Sequence, residues 1–300
     1  MNEIEKALKE YCEYLEIEKN RSVKTRDNYE RYLQRFIAQT KINTIKDLTE
    51  ENIRRFRLAL ARERVNGAEL KKNTQSYYVI AIRNFLKYLI KKGYPAISPD
   101  KIELPRVEQR QIEIMEHHDL DRLLKAPRGN TLRAARDRAI LEMLFSTGLR
   151  LAELCGLNRD LDFKRGEISV RGKGGKIRLV FLSDSARNAL KNYEALRGDV
   201  EEALFISLKK SKIPQVIGRI TPRAVERLVS HYATVSGIPR HVTPHQLRHL
   251  FATDLLINGA DLRSVQELLG HRNIGTTQIY THVTNKGLKD IHKAFHGKNK

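Results

Sequence analysis

Tryptophan is absent from this chain, and its 300 residues include only two cysteines, three methionines and eight prolines. Cys12 and Cys155 lie far apart within helical patterns, so no disulfide framework is expected, and both read as buried small hydrophobes. No apolar run approaches the roughly 18 residues of a membrane span. The acidic opening from Met1 to Glu18 has the character of neither a signal nor a transit peptide. A soluble, cytoplasmic protein is therefore expected. Acidic residues are also in the minority: 36 Asp and Glu face 56 Lys and Arg, a formal charge of +20. Such an excess favours a polyanion, with nucleic acid ahead of an anionic membrane surface.

Apolar spacing predicts helices through the first hundred residues. Ile4, Leu8, Tyr11 and Leu15 recur at helical intervals, as do Tyr29, Leu33 and Phe36, then Ile53, Phe56 and Leu60. A fourth stripe from Thr74 to Lys91 carries Tyr78, Ile82, Phe85 and Leu89, and Gly93 stops it. Residues 1–96 thus read as a helical bundle. Pro95, Pro99 and Pro105 punctuate a charged stretch, 97–116, read as a linker.

Residues 117–300 form the expected second domain. It opens with helices near His118 to Leu124 and Leu132 to Ser146, the latter closed by Gly148. Ile168, Val170, Ile177, Leu179 and Phe181 flank a Gly-rich turn and predict a hairpin. Helix starts are then marked by Ser183, Thr221-Pro222, Thr243-Pro244 and Asp261. Gly237, Gly259 and Gly270 fall where left-handed caps belong. A last helix, about 285–296, has Leu288, Ile291 and Phe295 on one side. The fold class is mainly α with a small antiparallel β-sheet.

A series of basic residues punctuates this second half. Arg150 stands in Ser-Thr-Gly-Leu-Arg, Lys173 in Gly-Lys-Gly-Gly-Lys, and His245 with Arg248 in His-Gln-Leu-Arg-His. His271 stands in Leu-Leu-Gly-His-Arg, and Tyr280 ends the series. Each alone has a plain structural reading: a buried ion pair for Arg150 with Glu153, a solvated hairpin tip for Lys173, a core aromatic for Tyr280. The Lys173 turn lacks the order of a phosphate loop and leads into a strand, which disfavours ATP binding. His241, His245 and His249 share helical spacing suited to zinc, but Arg248 stands among them and no cysteine supports them.

Together the six fit one reaction. A tyrosine hydroxyl, with a pKa of about 10, attacks only when a base removes its proton or cations stabilise its anion. Charge gathers on the oxygens of an attacked phosphodiester, and two planar guanidiniums suit them. The departing sugar oxygen needs a proton, which a lysine in a groove can supply. The covalent phosphotyrosyl bond lets the strand be resealed with neither metal nor ATP, so no cofactor and no metal are expected.

In this order the motifs closely resemble those of the tyrosine recombinases (phage-integrase-like), and among them the Xer-type site-specific recombinases. The resemblance extends over nearly the whole chain, including Ser22-x-x-Thr25-x-x-x-Tyr29 and the Ser98-Pro99 pair. It implies a SAM-like, core-binding N-terminal bundle and a catalytic domain with a C-terminal exchange helix. It also implies Arg150 and Arg248 as phosphate clamp, Lys173 as general acid, His245 and His271 as proton-transfer and positioning pair, and Tyr280 as nucleophile. The implied partner is double-stranded DNA with a specific site, joined by a tetramer on two sites. The target sequence, the need for a paralogous recombinase or accessory protein, and dimer resolution against mobile-element integration all stay open. The tail departs from the family's His-Pro-Arg-Ala and reads His296-Gly297-Lys298-Asn299-Lys300.

Lys71, Lys72, Thr74, Tyr77 and Arg83 lie on or near one N-terminal helix that could enter a major groove, or form a solvated face. Two other readings are distinguishable. A type IB topoisomerase would relax supercoils with no specific site, and a DNA-binding protein without cutting activity would form no covalent adduct.

Overall fold

The computed structural model describes residues 1–65, 67–105, 115–163, 165–172, 175–209, 211 and 215–270. The chain divides into two compact units, Met1–Arg110 and Gln111–Lys300. Among the described residues no helix is long and apolar enough to cross a membrane.

The first unit contains α1 (Glu3–Ile17), α2 (Val23–Thr40), α3 (Glu50–Arg62) and α4 (Lys72–Lys91). Its core is drawn from the stripes seen in the sequence: Ile4, Leu8, Tyr11, Leu33, Phe36, Phe56, Ile82, Phe85 and Leu89 are all buried. A two-residue antiparallel ladder, β1 (Arg64–Val65) with β2 (Ala68–Glu69), lies between α3 and α4 and has no periodicity to announce it. The stretch expected to begin a linker behaves differently over residues 97–105. Ser98 caps a short 3-10 turn from Pro99 to Lys101, and Ile102 enters the bundle core at 3 % exposure. Arg83 braces this segment by donating to the Ile102 carbonyl and to Asp100. The cause is apolar: Ile97, Pro99 and Ile102 bury surface that prolines alone do not forbid.

In the second unit, α5 (His117–Lys125), α6 (Leu132–Thr147) and the five-residue α7 (Leu151–Cys155) precede a hairpin of β3 (Glu167–Arg171) and β4 (Ile177–Phe181). Then follow α8 (Asp184–Ala195), β5 (Ile206–Leu208), β6 (Val216–Arg219), α9 (Pro222–Val235), α10 (Pro244–Ile257) and α11 (Leu262–Leu269). Among the described residues of this unit the strands pair two by two, β3 with β4 and β5 with β6, both antiparallel. The β5–β6 ladder carries a bulge and was not anticipated, because three or four residues are too few for alternation to show. The side chains of Ser183, Thr221, Thr243 and Asp261 accept N–H bonds at the helix starts expected of them.

Helix α6 is the hub, packed against α5, α7, α8, α9, α10 and β4. Ala139, Ile140, Leu141, Met143 and Leu144 are completely covered, so the helix is apolar around most of its circumference. Its two buried charges are matched: Arg136 donates to Asp137 at 2.6 and 2.9 Å and to the Ile206 carbonyl at 2.9 Å, while Tyr232 donates to Asp137 at 3.0 Å. That network fastens α6 to β5 and α9. In the first hairpin, Ile168, Val170 and Val180 face this core, whereas Ile177, Leu179 and Phe181 face outward. Cys12 and Cys155 are both buried free thiols, and burial pushes each up to about 11.

Eight of the eleven tyrosines precede residue 95 and no tryptophan competes with them, so tyrosine emission reports mainly on the first unit. Ile102→Ala should destabilise that unit by roughly 2–4 kcal/mol, the usual cost of truncating a buried isoleucine. The expected readout is an earlier denaturant midpoint in tyrosine fluorescence. An unchanged midpoint would mean that this segment does not belong to the bundle.

Candidate active site

The site begins at the end of α6. Gly148 adopts φ +57 and closes that helix; a Cβ there would lie 2.4 Å from Cδ1 of Phe251, so both conformation and space call for glycine. Leu149 is buried, and Arg150 in extended conformation starts α7. Glu153, in the first turn of α7, reaches back: its Oε2 accepts from the Arg150 backbone N–H at 2.8 Å and its Oε1 from the guanidinium at 2.9 Å. The same carboxylate takes a two-pronged grip from Arg178 of β4, at 2.9 and 2.8 Å. Burial alone would raise the Glu153 pKa. The bonds from Arg178 and from the Arg150 backbone and side chain outweigh it and bring it down to about 2.

The second arginine comes from α10. Thr243 and Gln246 form a capping box there and Pro244 opens the helix, placing His245 in its first turn and Arg248 one turn on. Arg248 is only 4 % exposed, and its guanidinium donates to the Gly148 and Leu269 carbonyls. Burial first, and the charge of Arg248 second, lower the pKa of His245. The residue is exposed at the surface, and its ring is biased toward the neutral form, able to accept a proton.

These side chains converge on the C-terminal end of α11. Arg178 Nε donates to the Leu268 carbonyl at 3.0 Å, Arg248 to Leu269, and Arg150 to Gly270 at 2.8 Å. Three consecutive carbonyls thus hold three guanidiniums contributed by an interhelical corner, a strand and a helix. Arg150 stays 34 % exposed and can present its remaining N–H groups to a ligand. In the triad of Arg150, Arg178 and Glu153, two cations face one anion, leaving one positive charge in excess.

Of the six expected site residues, Arg150, His245 and Arg248 are therefore brought together. Lys173, His271 and Tyr280 lie outside the described residues, as does the expected final helix, 285–296. Their described neighbours lie at the site: Gly172 lies against Glu153 and Arg178, and the carbonyl of Gly270 accepts from Arg150. Arg178 is a further residue of this site, outside the expected six. Its signal was a charged residue in the inward register of a strand whose other inward residue is Val180. In the first unit, Lys71 and Lys72 are exposed at the start of α4, Thr74 is half-buried, and the exposed Tyr77 ring lies parallel to that of Tyr32 at 6.5 Å. Arg83 does not join them, being turned to Asp100 and Ile102.

Two family models match the chain: the phage integrase family over residues 113–286, and the phage integrase N-terminal SAM-like domain over residues 8–93. The chain belongs to the phage integrase family, the tyrosine recombinases. Tyrosine recombinase XerD of Oceanobacillus iheyensis is 36% identical over 306 residues, covering 98% of this chain and 99% of that protein. Tyrosine recombinase XerC of Thermodesulfovibrio yellowstonii is 40% identical over 231 residues, covering 75% and 76%. Among solved structures, XerH bound to its palindromic difH substrate after cleavage superposes with a TM-score of 0.71 at 23% identity, covering 95% of this chain and 82% of that one. A λ integrase dimer on a COC' core site gives 0.72 at 18% identity, covering 93% and 95%; these two likenesses show the fold. This recombinase is thus an Xer-type enzyme of DNA strand cleavage and rejoining, with a SAM-like N-terminal domain.

Because Glu153 has a folded-state pKa below its ordinary value of 4.5, its stabilisation is complete above that value and is lost as pH falls toward 2. Glu153→Gln should cost about 3 kcal/mol near neutrality. The gap to the parent in denaturant midpoint should close between about pH 5 and pH 2. A gap independent of pH would show that the carboxylate's charge is not what holds the triad.

Proposed function

We propose that this recombinase cuts and rejoins duplex DNA at a specific site, with Tyr280 as nucleophile. The phenolic oxygen forms a bond to the scissile phosphorus as the bond from phosphorus to the 5′-oxygen breaks, leaving a 3′-phosphotyrosyl link and a free 5′-hydroxyl. Arg150 and Arg248 hold the non-bridging oxygens, Lys173 gives the leaving oxygen its proton, and His245 with His271 accept and steer the phenolic proton. The 5′-hydroxyl of a partner strand then attacks the phosphotyrosyl bond, returning the proton to Tyr280.

The observation that supports this reading is the meeting of Arg150 and Arg248 on adjacent carbonyls of α11, with His245 one turn away from Arg248. Carbonyl oxygens orient a guanidinium without cancelling its charge, which leaves that charge for a phosphate. Lys173 follows Gly172 and His271 follows Gly270, both of which lie at the site. Lys71, Lys72, Thr74 and Tyr77 are assigned to DNA contact in the N-terminal unit, and Arg83 to bracing the segment that follows α4. With the Xer-type resemblance goes the further reading of dimer resolution by a tetramer spanning two sites, in the cytoplasm.

Incubation with a nicked suicide substrate, followed by denaturing electrophoresis, tests the reading. The parent should give a DNA-linked band that Tyr280→Phe does not. Arg150→Ala and Arg248→Ala should each bind duplex nearly normally yet lose roughly 3 kcal/mol of transition-state stabilisation, about a hundredfold in cleavage rate. A Tyr280→Phe protein that still forms the adduct would remove the nucleophile from its role. Arginine variants cleaving at the parental rate would remove the clamp.

A further inference from the structure

Arg178 has no part in the reaction just described, yet it is bonded at the centre of the site. All three of its nitrogens are engaged: Nη1 and Nη2 with the two oxygens of Glu153, and Nε with the Leu268 carbonyl. It comes from β4, where the other inward residue is the apolar Val180, and the cross-strand partner of Arg178 itself is Val170. A guanidinium in that register sacrifices apolar burial, and a bidentate pair with a nearly covered carboxylate is the compensation.

The geometry around this pair joins three pieces of chain. The first is Arg150, held by Glu153 through both backbone and side chain. The second is Gly172: a Cβ there would meet Arg178 Nη1 at 3.2 Å and Glu153 Oε1 at 3.3 Å, so the backbone is drawn against the ion pair immediately before Lys173. The third is the end of α11, whose Leu268 carbonyl Arg178 takes and whose Gly270 carbonyl goes to Arg150, immediately before His271. One carboxylate and one guanidinium therefore lie where the stretches leading to three of the six site residues meet.

We propose that Arg178 is a positioning residue which, through Glu153 and the Leu268 carbonyl, sets Arg150, the Gly172 turn and the α11 end in one register. The proposal rests on the strand-cleavage reading for its rate consequences, but not for its structural ones. With Arg178 in place, the Glu153 carboxylate stays ionised throughout any ordinary assay range. Without it, the largest of the bonds that oppose burial is gone, the Glu153 carboxyl titrates higher than in the parent, and its hold on Arg150 weakens as it gains a proton. A residue that merely supports the fold would change stability and leave the pH profile of the chemistry alone.

The test uses the full chain carrying Arg178→Gln or Arg178→Lys, with three measurements: single-turnover adduct formation against pH, duplex affinity, and backbone hydrogen exchange. Arg178→Gln should bind duplex within about twofold of the parent and cleave about a hundredfold more slowly, the scale of a small misplacement in a reacting array. The acid limb of its pH–rate profile should lie at higher pH than the parent's, because Glu153 has lost its strongest partner. Arg178→Lys keeps a charge without the fork, and should restore the parental pH profile but not the parental rate. Peptides covering 175–178 and 262–270 should exchange faster together in both variants, with the rest of the second unit unchanged.

An Arg178→Gln profile superimposable on the parent's overturns the proposal. If that variant does not fold, a parental rate in Arg178→Lys does so instead. If the parent itself forms no adduct, the strand-cleavage reading fails separately, and the exchange measurement still decides: unchanged exchange in those two stretches overturns the positioning role, and joint acceleration supports it.

Discussion

Everything in the second unit turns on how arginines are held at the end of α11. The last carbonyls of any helix lack partners within it and carry the negative end of its dipole. Here Leu268, Leu269 and Gly270 offer three such groups, and Arg178, Arg248 and Arg150 answer them one each. Neutral carbonyls orient these cations without neutralising them. A carboxylate at each place would fix the guanidiniums as firmly but consume their charge. Glu153 is shared between two arginines, so it orients both while cancelling only one.

The contacts that build this arrangement are long-range: Arg150 reaches 120 residues to Gly270, Arg248 100 residues to Gly148, and Arg178 90 residues to Leu268. Closing such distances costs chain entropy that a few hydrogen bonds do not offset. Burial around α6 does offset it. The helix is covered on nearly all sides, and α7, β4 and α10, which carry the site's arginines or follow them directly, all pack against it. Gly148 is where core and site meet: it ends α6, receives Arg248 on its carbonyl, and leaves room for Phe251.

Much of this was readable in the sequence, for identifiable reasons. The four helices of the first unit announce themselves through stripes of Tyr, Leu, Ile and Phe, and each helix start from Ser183 to Asp261 through a side-chain cap. Arg150 and Arg248 were readable as motifs, not as geometry: nothing in the spacing of 150 and 248 says that their partners are successive carbonyls. Arg178 was not legible because the apolar pattern of β4 is carried by Ile177, Leu179 and Phe181, which point outward, and so inverts the true register. The β5–β6 and β1–β2 ladders were hidden by brevity. Prolines at 99 and 105 suggested an exposed connection across a stretch that Ile102 in fact anchors, because proline limits backbone angles and says little about burial.

The two thiols carry a practical consequence. The thiolate is the form that attacks alkylating reagents, and a group titrating near 11 presents that form in only about one molecule in ten thousand at neutral pH. Cys12 and Cys155 are, besides, enclosed by protein. A cysteine introduced on the surface would therefore take up a maleimide dye alone, and fluorophore pairs could follow assembly on DNA without first stripping the native sulfurs from the chain.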